Sequence, residues 1–210
     1  MKKLFILCLM MLIGIGTVSV SARTHDKDSV IFSGGINLGL GFDANGDYAQ
    51  TPFIFEPMLD VEYCFSNNFL FGLQYGWNYL RMKDSDGDFK TIYNQHTMRC
   101  CPFIGFAIGD YDKFNFKIGP TLDLLFGLKS VVSYGREQFV TKLTDYDEDA
   151  YDFCAWGLRM GVGICGILDV YYQMGLTNHF ENNPTIHQVT FVLPLRVNRK
   201  FENNGLKSTW

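Results

Sequence analysis

The stretch Phe69 to Met82, FLFGLQYGWNYLRM, alternates with a period of two. Its odd positions are Phe69, Phe71, Leu73, Tyr75, Trp77 and Tyr79; its even positions are Leu70, Gly72, Gln74, Gly76, Asn78 and Leu80. That period means an extended strand whose two faces meet different surroundings. A strand on the surface of a soluble sheet sets core-sized residues against charged ones. Here large aromatic side chains stand against small or amide-bearing ones. The pattern predicts one face toward lipid and the other toward a tight polar lumen, and it recurs about eight times along the chain.

The segment before the strands has a different character. Lys2 and Lys3 give a basic start, Leu4 to Ile15 is almost wholly apolar, and Val20-Ser21-Ala22 has the small-residue pattern of a secretory cleavage site. We read residues 1–22 as a signal peptide and 23–29 as a short periplasmic lead. The apolar run is too short to cross a bilayer as a helix, which takes about 20 residues. Further on, Arg, Lys, Asp or Glu interrupts every apolar run, so only a closed barrel could span a membrane. The net charge of −4 and the lack of a basic run argue against nucleic acid as a partner. Five cysteines follow the signal (Cys64, Cys100, Cys101, Cys154 and Cys165). Their odd number and the absence of C-x-x-C spacing predict apolar filler rather than a zinc site or a disulfide framework.

Eight strands are predicted, about Val30–Phe42, Thr51–Phe65, Phe69–Met82, Thr91–Gly109, Phe114–Leu128, Tyr151–Cys165, Leu168–Phe180 and Thr185–Val197. Turns are expected at Ser66-Asn67-Asn68, Asp110 to Lys113 and Gly166-Ile167. Loops are expected at Asp43 to Gln50, Lys83 to Lys90, Lys129 to Ala150 and Glu181 to Pro184. Lys129 to Ala150 is the longest of these, with an acidic tip (Asp145 to Asp149) and β-prone ends that can extend the flanking strands. Residues 198–210 read as a polar tail.

Volume decides which face is outside. The bulky set holds roughly fifty side chains, and an eight-stranded barrel has an interior only wide enough for side chains to fill. The bulky set must therefore coat the exterior. The fold is predicted to be all-β: an eight-stranded antiparallel up-and-down transmembrane β-barrel with a filled polar lumen, over residues 30–197. Aromatic girdles are expected at both interfaces, with Trp77, Tyr79, Trp156 and Phe180 at the loop end and Tyr63, Phe69, Phe114 and Phe116 at the turn end.

The inward charges are Glu56, Asp60, Glu62, Arg99, Lys117, Asp123, Arg159, Asp169 and Arg196. Unpaired, each would be costly in so narrow a space. We expect a mid-lumen group of Asp60, Arg99, Asp123 and Arg159, and a lower group of Glu62, Lys117, Asp169 and Arg196. Their expected role is to plug and rigidify the barrel.

The signal ending Val20-Ser21-Ala22, the Gly-rich first strand FSGGINLGLGF and the strands FLFGLQYGWNYL and CAWGLRMGVGICG carry a resemblance. The chain resembles the small outer-membrane β-barrel proteins of the Bacteroidetes type, the porin-family or PorT-like barrels, over residues 30–197. The resemblance implies an envelope protein of the outer membrane, surrounded by its lipids and inserted by the barrel-assembly machinery. Such barrels usually finish on an aromatic residue read by that machinery; this chain runs on past its eighth strand, leaving Phe201 or Trp210 as that signal.

No catalytic, cofactor or metal site is expected. Asp84, Asp86, Gly87 and Asp88 resemble part of a calcium loop, but glycine falls at the fourth position instead of the sixth and glutamine at the twelfth instead of glutamate. His96 and His187 fall on the outer face near the loop end, where a lipid A-modifying enzyme would carry its histidine, but no serine has a triad spacing to them. Three functions are therefore open: a structural or interaction barrel whose Lys129–Ala150 loop meets an extracellular or envelope partner, a narrow channel, and, least favoured, a lipid-modifying enzyme.

Overall fold

In the computed structural model, residues 27–43, 52–86, 88–108, 114–145, 151–179, 185–202 and 205–208 are described. The signal peptide, residues 44–50 of the first loop, the turn at 110–113, the acidic tip beyond Asp145, the ENNP loop, Phe180 and Trp210 lie outside these residues. Eleven strands form one antiparallel sheet: β1 (Ser29–Asp43), β2 (Phe53–Cys64), β3 (Phe69–Asp86), β4 (Phe89–Ile108), β5 (Phe114–Tyr134), β6 (Glu137–Lys142), β7 (Cys154–Ile164), β8 (Leu168–Gly175), β9 (Ile186–Val192), β10 (Leu195–Glu202) and β11 (Gly205–Ser208). Neighbours pair in chain order from β1 to β5, then β5 with β7, β7 with β8 and β8 with β9. The ring closes where β1 pairs with both β9 and β10. β9 and β10 are one barrel strand interrupted at Leu193-Pro194. Proline has no N–H for the ladder, yet the register against β1 is in phase on either side: Leu38 faces Phe191 and Gly34 faces Leu195. Eight barrel strands result, and closure leaves no edge within the ring.

The two faces are inverted relative to a soluble barrel. Phe32, Leu59, Phe71, Trp77, Ile104 and Phe191 are exposed on the outside, Leu59 by 66%. Glu56, Asp60, Glu62, Arg99, Lys117 and Arg159 are buried inside. Both faces follow the parity of the sequence through most strands. One irregularity changes it. The β4–β5 register shifts between His96 and Thr97, where Phe126 and Gly127 together oppose His96. Such a β-bulge flips the parity beyond it. Leu128 and Ser130 accordingly turn inward, and Gly127, expected in the lumen, packs against His96 on the outer face.

The connections also differ from expectation. Lys83 to Lys90 is not a loop: β3 and β4 stay paired out to Asp86 and Phe89, leaving only positions 87 and 88 between them. Most of the long Lys129–Ala150 connection is likewise strand, with β5 running to Tyr134 and returning as β6. Cross-strand contacts hold this part beyond the ring, among them Phe89 stacked on Tyr134 with centroids 4.6 Å apart. The segment after Val197 is no simple tail either, because β10 continues to Glu202 and pairs with β11. The β7–β8 turn is centred one residue earlier than expected, on Cys165 and Gly166, both at positive φ (52° and 67°). They are the central residues of a turn closed by the Ile167 N–H donating to the Ile164 carbonyl at 3.0 Å, and positive φ at both is what a type I′ turn requires.

Near Pro102 and Pro120 the β4–β5 ladder skips from Cys100–Leu122 to Ile104–Ile118. Gly119 lies here, and a Cβ on it would fall 2.0 Å from the Pro102 carbonyl oxygen. Backbone cannot yield as a side-chain tip can, so Gly119→Ala must push β4 and β5 apart. We expect a destabilisation of about 1–3 kcal/mol, read as a lower temperature for loss of the compact form in gel-shift assays of the folded barrel.

Candidate functional site

The lumen is the site the fold defines. Its core is an ion-pair cluster whose charges come from four strands, with amides from two more. Arg99 and Asp123 face each other across β4 and β5, and the guanidinium grips the carboxylate with two bonds, Nε to Oδ1 at 2.7 Å and Nη2 to Oδ2 at 2.9 Å. Arg99 Nη1 also reaches Glu56 Oε2 at 3.3 Å, and both its Nη atoms donate to Gln188 Oε1 on β9. Glu56 receives a second arginine: Arg159 Nη1 lies 2.8 Å from Oε1 and 3.1 Å from Oε2. Asn37 of β1 completes the shell, donating to Glu56 Oε2 at 3.1 Å. Glu56 is wholly inaccessible and Arg99 is 1% exposed. A carboxylate so buried is tolerable only with this many charged and polar donors.

A second cluster lies nearer the turns. Lys117 Nζ is 2.9 Å from Asp60 Oδ2 and also contacts Glu62. Arg196 Nη2 holds both oxygens of Asp169, at 2.7 and 2.6 Å. The grouping therefore departs from the expected one. Glu56, not Asp60, joins the mid-lumen arginines, and Asp60 sits with Glu62 on Lys117. Sequence offsets along β2 gave the wrong partner because barrel strands tilt and stagger, so residues at equal offsets are not at equal height.

Among the lumen residues that escaped the sequence reading are Phe103 and Tyr171. Lys117 Nζ stands 5.1 Å from the centroid of Phe103, and the Arg159 guanidinium 4.4 Å from that of Tyr171. Both rings extend the charge network by cation–π contact. The overlooked signal is a glycine opposite each: Gly72 faces Phe103 and Gly161 faces Tyr171 in the ladders. A Cβ on either glycine would come within 2.6 Å of the facing ring.

The girdle residues Trp77, Trp156, Phe69, Phe114 and Phe116 are exposed on the outer face, with Tyr63 and Tyr79 half-buried beside them. At the loop end, His96 packs among Trp77, Tyr79 and Phe126. His187 packs on Phe42 and Tyr172, whose hydroxyl lies 2.6 Å from Nδ1. No serine or carboxylate contacts either ring among the described residues. Cys100, Cys101, Cys154 and Cys165 carry free thiols, and no group of three metal-binding side chains occurs among the described residues.

The loop end of the lumen holds a cavity of about 40 Å³ lined by Asn78, Gln95, Asp123, Gln173, His179 and Gln188, among others. A second, of about 10 Å³, lies against Lys117, Arg159, Tyr171 and Cys101. The two share no lining residue. Arg99, bonded to Asp123 and Gln188 of the first, and Arg159 of the second meet on Glu56 between them. His179 closes the upper cavity. Its Nδ1 donates to the Asp152 carbonyl at 2.8 Å. Burial holds the imidazole below its ordinary value of 6.5, against the opposing pull of Asp152 and Asp123.

A closed barrel with an oily exterior and a paired ionic interior is an integral outer-membrane β-barrel protein. No protein-family profile and no curated protein matches the sequence. Among solved structures, the chain is similar to the attachment invasion locus protein Ail of Yersinia pestis (11% identity over 81% of this chain and 99% of that one, TM-score 0.46). It is also similar to Neisserial surface protein A (11% identity, 80% and 95% coverage, TM-score 0.43). The N-terminal β-barrel domain of Pseudomonas aeruginosa OprF gives 9% identity, 80% and 98% coverage and a TM-score of 0.37.

Two outcomes follow from this geometry. Glu56→Gln leaves two buried guanidiniums short of their shared anion, so the unfolding free energy in urea should fall by about 3–5 kcal/mol. His179 refuses a proton that the unfolded chain accepts below 6.5. Its contribution is therefore fully present above that value and is lost as pH falls. Stability measured from about pH 7 down to pH 5 should decline more steeply in the wild type than in His179→Gln.

Proposed function

We propose that this is a plugged outer-membrane barrel with a structural or interaction role in the cell envelope, of the Bacteroidetes porin-family or PorT-like kind, inserted by the barrel-assembly machinery. The observation that carries the reading is Glu56 clamped between Arg99 and Arg159. This bridge crosses the lumen from β2 to β4 and β7, and Gln188 and Asn37 tie it to the remaining side. A through-path would have to break several buried charge-assisted bonds at once. What the molecule offers to partners is then its outside, above all the four-stranded extension formed by the far ends of β3, β4 and β5 with β6. Phe89, Tyr134 and Phe139 are exposed on one face there, and large exposed apolar side chains clustered in water mark interaction surfaces. In this reading the protein carries out no reaction.

The two lumen cavities favour a second reading, a narrow channel. The larger has room for water and the smaller is at the limit for a single one, and the Glu56 bridge lies between them. Planar-bilayer recording separates the two. The plugged barrel gives no sustained conductance, and Glu56→Ala combined with Arg99→Ala opens it. Stable unitary currents from the wild-type protein would instead establish the channel.

A further inference from the structure

We propose that the outer surface just above the loop-end girdle is a binding surface for the net-anionic, phosphate-bearing headgroups of the surrounding membrane lipids. The ladders place one row of side chains across four strands: Arg81 of β3 faces Asn94 of β4, Asn94 faces Lys129 of β5, and Lys129 faces Lys142 of β6. At about 4.8 Å per strand the row spans roughly 14 Å. The next rows outward add Lys83, opposite Ile92, and Lys90, opposite Ser133. All five cations are exposed, and strand alternation puts them on the outer face. The bulge at Phe126 makes this possible, because without the parity flip Lys129 would point into the lumen.

Two observations fix what the surface meets. The first is height. One row below Arg81 and Asn94 lie Tyr79, His96 and the Phe126 bulge, the aromatic girdle that sits at headgroup level. The Tyr79 hydroxyl donates to Asn94 at 2.7 Å, tying the girdle to the cation row. The cations therefore stand where lipid phosphates are, not out in bulk water. The second is charge. Lys129 and Lys142 are direct cross-strand partners on one face, an arrangement that destabilises a sheet unless an anion lies between them. Among the residues whose side chains are described, Arg81, Lys129 and Lys142 have no carboxylate within salt-bridge distance. Asp145, the nearest in sequence to Lys142, turns its carboxylate to the Lys142 backbone N–H at 2.7 Å and to the Thr144 hydroxyl. Cations at such a surface each favour anionic lipid by roughly fivefold.

The surface is confined to one side of the cylinder. β9 stands diametrically opposite β4 in the ring, and its outward Phe191 has no basic neighbour among the described strand residues. That asymmetry supplies an internal control. Two single-tryptophan proteins would be reconstituted in bilayers: W156F/W210F, which retains Trp77 beneath the cation row, and W77F/W156F/W210F with Phe191→Trp. Quenching by brominated phosphatidylglycerol is compared with quenching by brominated phosphatidylcholine. At Trp77 the anionic lipid should be favoured about fivefold or more, with the preference falling toward unity at high salt and in R81Q/K129Q/K142Q. Charge-preserving K129R/K142R should retain it, and the reporter at position 191 should show none. Equal quenching by both lipids at Trp77, or a preference unchanged in the triple variant, overturns the proposal. So does full reversal by millimolar inorganic phosphate, which would mark a free-anion site. Failure of any brominated lipid to quench at position 191 would overturn the membrane placement on which the proposal rests.

Discussion

The structure depends on the neutralisation of charge inside a space too narrow for water to do it. Glu56 has no accessible surface, and its two oxygens are met by Arg99, Arg159 and Asn37. These residues come from β1, β2, β4 and β7, so the carboxylate is a junction between strands far apart in sequence. Removing one member leaves the others buried and uncompensated, which is why a buried pair that adds little net stability over an apolar core is still costly to break. The same logic fixes Asp60 and Glu62 on Lys117, and Asp169 on Arg196. Assembly of the ring and pairing of these charges are thus one event: no strand can be satisfied until its neighbours across the lumen arrive.

Filling the rest of the lumen is a matter of matched volumes. The large inward rings of Phe103 and Tyr171 each lie opposite a glycine, Gly72 and Gly161. Each ring also receives a cation, Lys117 or Arg159. The glycines are therefore not generic softeners of the strands. They are vacancies cut to admit a specific ring, and the ring in turn supports a charge. Packing and electrostatics meet in the same pairs.

This explains which features could be read in the sequence. Parity needs only the order of residues within one strand, so the inward set from Glu56 to Arg196 and the outward aromatics were visible. Partner identity needs register between strands, which tilt and stagger make invisible to a strand read singly. Asp60 was accordingly grouped with the arginines when its partner is Lys117. Phe103 and Tyr171 were passed over because a ring on a lumen face looks like an error until the facing glycine is known. Phe126 and Gly127 carry no mark distinguishing a bulge from plain alternation. The strand character of Lys83 to Lys90 was hidden by its charges, which read as a loop when neighbouring strands are not in view.

The bulge links the two halves of the molecule. Below it, β5 directs Lys117 and Asp123 into the lumen, where they are paired. Above it, the same strand directs Lys129 outward beside Lys142. Inside the lumen the five acids and four bases already pair with one another. A strand that continues into the extension with its parity unchanged would carry Lys129 above the mouth of the lumen. One extra residue at Phe126 sends that charge to the exterior instead, at the height where the aromatic belt gives way to polar surface. The lumen side of the extension is then left to Leu128, Ser130 and the stacked pair Phe89 and Tyr134. The extension thereby acquires a row of cations on its outer face, and their placement originates in a single irregularity of the β4–β5 ladder.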